Sequence, residues 1–121
     1  MHYKKKKLFI EKVDSLKIVR KFGTPTYCYS LNKLKKNILD FQKNFKSISP
    51  LVCFSVKSNC NLQILKEIRK CGVGADVVSK GEMIQSLKAG ILPKKIVFSG
   101  VGKKTEELKF AIEKKILLIN A

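Results

Sequence analysis

A lysine at the end of an apolar run is the residue best placed to do chemistry in this chain. Residues 51–56 read Leu-Val-Cys-Phe-Ser-Val, Lys57 follows directly, and residues 58–61 form a polar stretch. The run predicts a buried strand, and α/β folds place their functional groups beyond the carboxyl ends of strands. A lysine there can lose its proton and become an amine nucleophile. The alternative is a lysine that merely extends its ammonium into water from a strand end.

Two carboxylates are further candidates for the same site. Asp76 interrupts the small, apolar run 74–78, where a charged side chain needs a hydrogen-bonding partner. The alternative is that it serves the backbone at a strand end. Glu82 follows Ser79 by three residues, which is the spacing of a capping box, so helix capping alone would explain it.

The elements that must position these residues alternate between strand and helix. Predicted strands cover residues 26–29, 51–56, 74–78, 95–99 and 116–119. Predicted helices follow Ser30, extend over residues 61–70 and 79–89, and begin again at Thr105. Upstream, residues 8–22 predict a short strand and then a helix over 15–21. Apolar strands that alternate with helices predict an α/β fold with parallel strands covered by helices.

The length of the chain bears on the architecture. A complete TIM (β/α)8 barrel takes about 250 residues, so 121 residues would form a partial barrel, about its first half. A small, open, doubly wound sheet is the alternative. The periodicity does not choose between the two.

The net charge of +17 raises the question of nucleic-acid binding. Only Arg20 and Arg69 are arginines, the lysines are spread along the chain, and aromatic residues do not interleave with them. Recognition of bases and phosphates favours arginine and stacking aromatics. We therefore expect a solvated basic surface and no nucleic-acid partner, with a lysine-rich nucleic-acid-binding domain as the competing class.

The sequence also bears on where the protein is located and on whether it binds a metal. The basic residues 1–7 precede an apolar stretch of only three residues, 8–10, which is too short for a signal peptide. No apolar run approaches the roughly 20 residues that span a bilayer, so we expect a cytoplasmic protein without membrane contact. The four cysteines show no C-x-x-C spacing and His2 is the only histidine, so no metal site is expected.

Four segments in order resemble a known family of pyridoxal-phosphate enzymes. Residues 22–30, 54–65, 72–82 and 96–103 are similar to motifs of the ornithine/diaminopimelate/arginine decarboxylase family, which has the alanine-racemase-like barrel. The last segment resembles diaminopimelate decarboxylases more than ornithine or arginine decarboxylases. The family usually has a small apolar residue or proline at Ser55 and alanine at Ser58.

The resemblance implies a role for each candidate residue. Lys57 would form the Schiff base with pyridoxal 5′-phosphate, Asp76 would lie beside the cofactor and Lys57, and Glu82 would be a second acidic residue near the cofactor. The reaction implied is decarboxylation of meso-diaminopimelate to L-lysine and CO₂, with the cofactor ring as electron sink. Decarboxylation of another basic amino acid (ornithine, arginine or lysine) is the alternative.

The resemblance also implies a domain organisation. Residues 1–24 would be an N-terminal segment that pairs with a C-terminal β-domain, and residues 25–121 would be the first half of the cofactor-binding barrel. The family's phosphate loop, the acid that pairs with the pyridine nitrogen and the substrate-binding arginine come later in its sequence. We therefore expect an N-terminal part of a homodimeric enzyme that does not complete the reaction alone.

Overall fold

The chain forms two separate sheets, and the computed structural model describes all of residues 1–121. The strands are β1 (His2–Lys4), β2 (Lys7–Ile10), β3 (Val13–Asp14), β4 (Cys53–Ser55), β5 (Gly74–Val77), β6 (Ile96–Phe98) and β7 (Leu118–Ile119). The α-helices are α1 (Ser15–Phe22), α2 (Leu31–Asn44), α3 (Leu62–Lys70), α4 (Lys80–Lys88) and α5 (Thr105–Glu113). The α/β alternation predicted from residue 51 onward is confirmed.

The second sheet is parallel, with its strands in chain order. β4, β5, β6 and β7 are neighbours in that order, and α3, α4 and α5 connect them. Ala75, Val77, Ile96 and Phe98 are fully buried on one face, in one core with side chains of these three helices. A doubly wound sheet would place helices on both faces. The structure is therefore an open part of a (β/α)8 barrel, and the predicted partial barrel is confirmed.

The opposite face of this sheet, called the polar face below, carries polar side chains beside apolar ones. Because side chains alternate along a strand, Asp76 and Val97 point away from the helices, as does Ser55, which pairs with Asp76. All three are half-buried. The apolar composition of the strands thus hides a division into a dry face against the helices and a polar face that is free for chemistry.

Two glycines let the strands of this sheet approach closely. A Cβ at Gly74 would lie 2.2 Å from the carbonyl oxygen of Lys95, and one at Gly100 would lie 2.4 Å from that of Val78. No real Cβ tolerates such distances. Glycine at both positions therefore allows the backbone of β5 to pack against the segments that flank β6.

The N-terminal sheet is antiparallel and was predicted only in part. β2 and the following helix correspond to the expected strand and helix in residues 8–22, but β1 and β3 were not expected. The β1–β2 turn is Lys5-Lys6, with φ of 49° and 62°. Such a hairpin normally carries Asn-Gly or Asp-Gly, so the residues of this turn contain no hairpin signal.

One predicted strand is wrong, and the others are shorter than predicted. Residues 26–29 form no strand, and Tyr27 is 90% exposed because no neighbouring strand pairs with it. The parallel sheet therefore has four strands where five were expected. The run 51–56 contributes only β4, because the chain turns into a 3-10 helix at Val56–Ser58.

The predicted helix starts are confirmed by their caps. The Ser30 hydroxyl accepts a hydrogen bond from Lys33 N at 3.1 Å, and the Asn61 side chain accepts from Gln63 N at 3.0 Å. Such caps satisfy backbone donors that have no partner within the helix. None of the five α-helices combines the length and apolar character needed to cross a membrane.

Candidate active site

Lys57 lies at the carboxyl end of β4, as predicted, within the 3-10 turn Val56–Ser58. The turn is fixed by the Ser58 hydroxyl, which donates to the Ser55 carbonyl at 2.7 Å, and by Asn59 N, which donates to the Val56 carbonyl at 3.0 Å. Val56 is fully buried and anchors the turn in the core. The backbone of Lys57 is thus held in place while its side chain is exposed.

The Lys57 ammonium takes part in none of the three salt bridges of the chain. Those salt bridges join Lys35, Lys36 and Lys70 to acidic partners. The turn that carries Lys57 packs against β5, the strand that holds Asp76. An amine that no carboxylate holds in a salt bridge remains available for covalent chemistry.

Asp76 lies in the middle of the polar face, and it has the partners that its position demands. The Ser99 hydroxyl, just beyond β6, donates a short hydrogen bond to Asp76 Oδ1. The Ser55 hydroxyl, on β4, donates to Asp76 Oδ2 at 3.3 Å. Asp76 thus joins three neighbouring segments of the sheet. No hydrogen bond links it to Lys57.

Glu82 lies in the first turn of α4, where its carboxylate serves the backbone. It accepts from Val78 N at 2.9 Å, while its own N–H donates to the Ser79 hydroxyl at 3.2 Å. The capping prediction is confirmed, with one difference: the carboxylate reaches the residue before the cap. Glu82 therefore fixes the passage from β5 into α4, close to Asp76 along the chain.

Glu107 is a structural residue of this edge that the sequence did not single out. Its carboxylate accepts from Lys80 N at 2.8 Å and from Lys104 N at 3.1 Å, which ties the start of α4 to the start of α5. The hydrogen bond from Lys80 N, followed by that from Lys104 N, lowers the pKa of Glu107 below its ordinary value. The sequence showed an acid favourable to the α5 dipole, but the contact with α4 is visible only in three dimensions.

Lys103 is the second residue that the sequence did not single out. Its ammonium donates short hydrogen bonds to the carbonyls of Gly100 and Asn120. It also lies 5.4 Å from the centre of the Phe98 ring, within cation–π range. Lys103 therefore holds together the segments that leave β6 and β7.

The volumes of the surface grooves do not identify this site. The two largest grooves, of about 500 and 540 Å³, are lined by residues of the N-terminal region such as Lys7, Phe9, Phe22 and Tyr27. Neither Lys57 nor Asp76 lines these two grooves, so side-chain chemistry is the better guide to the site.

Comparison with known proteins gives a consistent family. Residues 31–121 match the family model described as the pyridoxal-binding domain of pyridoxal-dependent decarboxylases. The chain is similar to diaminopimelate decarboxylase of Aquifex aeolicus, with 41% identity over 120 residues, which are 99% of this chain and 28% of the relative. It is also similar to diaminopimelate decarboxylase of Helicobacter pylori, with 46% identity over 99 residues, which are 82% of this chain and 24% of the relative.

A solved structure extends the likeness to three dimensions. The crystal structure of diaminopimelate decarboxylase from M. jannaschii in complex with L-lysine is similar, with a TM-score of 0.91 and 34% identity over 99% of this chain. This chain covers 29% of that protein, so it spans less than a third of these relatives. Because the family model matches most of the chain, the chain belongs to the pyridoxal-dependent decarboxylase family.

Proposed function

We propose that this chain is part of a pyridoxal-phosphate-dependent decarboxylase that converts meso-diaminopimelate to L-lysine and CO₂. In this reaction the bond to one carboxyl group breaks, CO₂ leaves, and the carbon takes up a proton. The observation that carries the proposal is the position of Lys57, an unpaired amine at the end of β4, in a chain of this family. Relatives at 41% and 46% identity are named diaminopimelate decarboxylases, which supports this substrate.

The residues present fit part of what the cofactor needs. Lys57 would supply the amine that joins the aldehyde carbon of pyridoxal phosphate, with loss of water. When bound, the cofactor supplies a ring that accepts the electron pair left by the departing CO₂. Asp76 would provide negative charge near this amine, because it pairs with Ser55, which lies two residues before Lys57.

The phosphate group has no equally good partner among these residues. Helix N-termini bind phosphate through free N–H groups, but those of α3 and α4 are occupied by Asn61, Ser79, Glu82 and Glu107. We propose that other parts of the enzyme hold the phosphate. Glu82 remains a proposed cofactor-binding residue, which would act through its place at the start of α4.

Three further features of the enzyme are proposals. Residues 1–24 form an N-terminal segment that pairs with a C-terminal β-domain, and residues 25–121 form the first half of the barrel. The enzyme is a homodimer and works in the cytoplasm. The four free cysteines are compatible with a reducing compartment.

A chimeric enzyme tests the function. The chain would replace the matching 120 residues of the Aquifex aeolicus relative, and the chimera would be produced in a bacterium that requires lysine because it lacks diaminopimelate decarboxylase. We expect growth without lysine and CO₂ release from meso-diaminopimelate. Lys57→Ala should abolish both, whereas Lys43→Ala, an exposed lysine of α2, should abolish neither. A soluble chimera that releases CO₂ equally well with Lys57→Ala would overturn the proposal.

A further inference from the structure

Asp76 is held by hydroxyl groups from both neighbouring segments, and the two hydrogen bonds are unequal. The bond from Ser99 is short, whereas the distance from Ser55 Oγ to Asp76 Oδ2 is 3.3 Å. Hydroxyl–carboxylate hydrogen bonds are normally below about 3.0 Å, so Ser55 contributes the weaker contact. Ser99 therefore makes the closer of the two contacts with the carboxylate.

The backbone around Ser99 is fixed by three contacts that do not involve Asp76. Ser99 N donates to the Val77 carbonyl at 3.0 Å, which extends the ladder between β5 and β6. Gly100 lies so close to the Val78 carbonyl that no side chain fits there. The Lys103 ammonium binds the Gly100 carbonyl from the other side. The Ser99 hydroxyl is thus presented from a rigid support.

The two hydrogen bonds leave other lone pairs of the Asp76 carboxylate free. A carboxylate offers about four lone-pair sites, and Ser55 and Ser99 occupy two of them. The others remain for donors on the open side of the sheet. Both hydroxyls donate to the Asp76 carboxylate and hold it in a fixed orientation.

We propose that Ser99 is a positioning residue, which fixes the orientation of the Asp76 carboxylate, with Ser55 as a weaker second donor. The proposal rests on the proposed function for its catalytic consequence, but not for the contact itself. Neither serine touches the reacting atoms. Each acts through Asp76, so each should change the rate more than the binding of substrate.

The contact can be measured in the chain alone, without cofactor. Asp14, Asp40 and Asp76 are the only aspartates, so labelling aspartate with ¹³C at Cγ gives three signals, and Asp76→Asn identifies one of them. We expect Ser99→Ala to move the Asp76 signal, Ser55→Ala to move it less, and Ser99→Thr, which keeps the hydroxyl, to restore it. Ser47→Ala, an exposed serine remote from the sheet, is the control. An Asp76 signal unchanged by Ser99→Ala overturns the proposal.

The catalytic consequence is measured in the chimera. Hydrogen bonds to charged groups contribute about 1.5–3 kcal/mol, so Ser99→Ala should lower kcat by about tenfold to a hundredfold, leave KM nearly unchanged, and shift the visible absorbance of bound pyridoxal phosphate. Ser99→Thr should restore kcat and absorbance. Unchanged kcat and absorbance in Ser99→Ala, or losses that Ser99→Thr does not restore, contradict the positioning role. If the unsubstituted chimera neither binds cofactor nor releases CO₂, the proposed function fails instead, and the carboxyl signal still reports on the contact.

Discussion

The region of residues 51–121 and the region of residues 1–50 are built in different ways. All 16 buried residues lie in the first region, and none lies in the second. The first region places three helices on one face of a parallel sheet and excludes water from that face. The second region leaves large apolar side chains such as Phe22 and Tyr27 exposed, by 65% and 90%.

The N-terminal region is held mainly by polar contacts at the surface. Glu11 accepts from the Ser30 hydroxyl at 2.8 Å and from Asn32 N at 2.9 Å, which joins the antiparallel sheet to the start of α2. A salt bridge between Lys35 Nζ and Glu67 Oε2, which are 2.7 Å apart, then joins α2 to α3. Only a few half-buried residues of α2, Leu34 and Ile38, pack against the core.

This difference explains why the backbone of the candidate site is rigid. Lys57, Asp76 and Ser99 belong to the region with the buried core, so their backbone is fixed whether or not the N-terminal region is well docked. The two regions should therefore respond to different perturbations. Core substitutions should affect the first, and removal of surface carboxylates should affect the second.

The largest expected effect on stability comes from removing a phenylalanine ring from the core. Phe98→Ala removes a fully buried ring from β6 and should lower the free energy of unfolding by about 3–5 kcal/mol. Phe22→Ala removes a ring that is 65% exposed and should have a much smaller effect. Urea denaturation of the 121-residue chain measures both. Equal losses would mean that the two regions share one core.

A smaller loss of stability is expected when a methyl group is added inside the sheet. The Cβ of Gly74→Ala would lie 2.2 Å from the Lys95 carbonyl, and the backbone shift that relieves it should cost about 1–3 kcal/mol. Gly102→Ala is the matched control, because its Cβ would meet no atom within 4 Å. The same denaturation experiment applies. A Gly74→Ala protein as stable as the control would show that β5 and the segment before β6 are less closely packed than described.

The response to acid should come from the surface contacts. Side-chain hydrogen bonds from Lys35 and Lys70 lower the pKa of Glu67 to about 2. Because this pKa is lower in the folded chain, its contribution to stability is fully present above about pH 4.5 and is lost as the pH falls toward 2. The urea midpoint should therefore fall less steeply with acid in Glu67→Gln than in the unsubstituted chain. Parallel pH profiles would contradict this account of the α2–α3 contact.

The smallest and most local effect is expected at Glu11. Glu11→Ala removes the acceptor that joins the antiparallel sheet to α2. Amide hydrogen exchange should accelerate in β1–β3 and at the start of α2, while β5 and β6 remain unchanged. Lys12→Ala, at the neighbouring exposed position, serves as control. Faster exchange throughout the parallel sheet would mean that the two regions unfold together.

The fold of the core region could be predicted from sequence because its signals are local. Caps at Asn61 and Ser79, together with short apolar runs, locate the helices and strands of this region. The polar face was less visible. Asp76 stood out as a charge among apolar residues, but its partner Ser99 lies 23 positions away, and only the pairing of β5 with β6 brings them together.

The N-terminal region was predicted less well for physical reasons. The hairpin of β1 and β2 turns through two lysines with positive φ, a conformation that lysine residues do not indicate in a sequence. Residues 26–29 have the composition of a strand, but a strand also needs a partner. Pairing depends on what lies beside a segment, and composition does not contain that information.

The most direct test of the central claim is to find where pyridoxal phosphate becomes attached. The chimera would be incubated with pyridoxal phosphate, reduced with borohydride, digested and examined by mass spectrometry. Although the chain contains 26 lysines and arginines, we predict that the modification is concentrated on Lys57 and disappears in Lys57→Arg without moving to another lysine. Modification spread evenly over the surface lysines, with Lys57 no more reactive than the rest, would contradict the account.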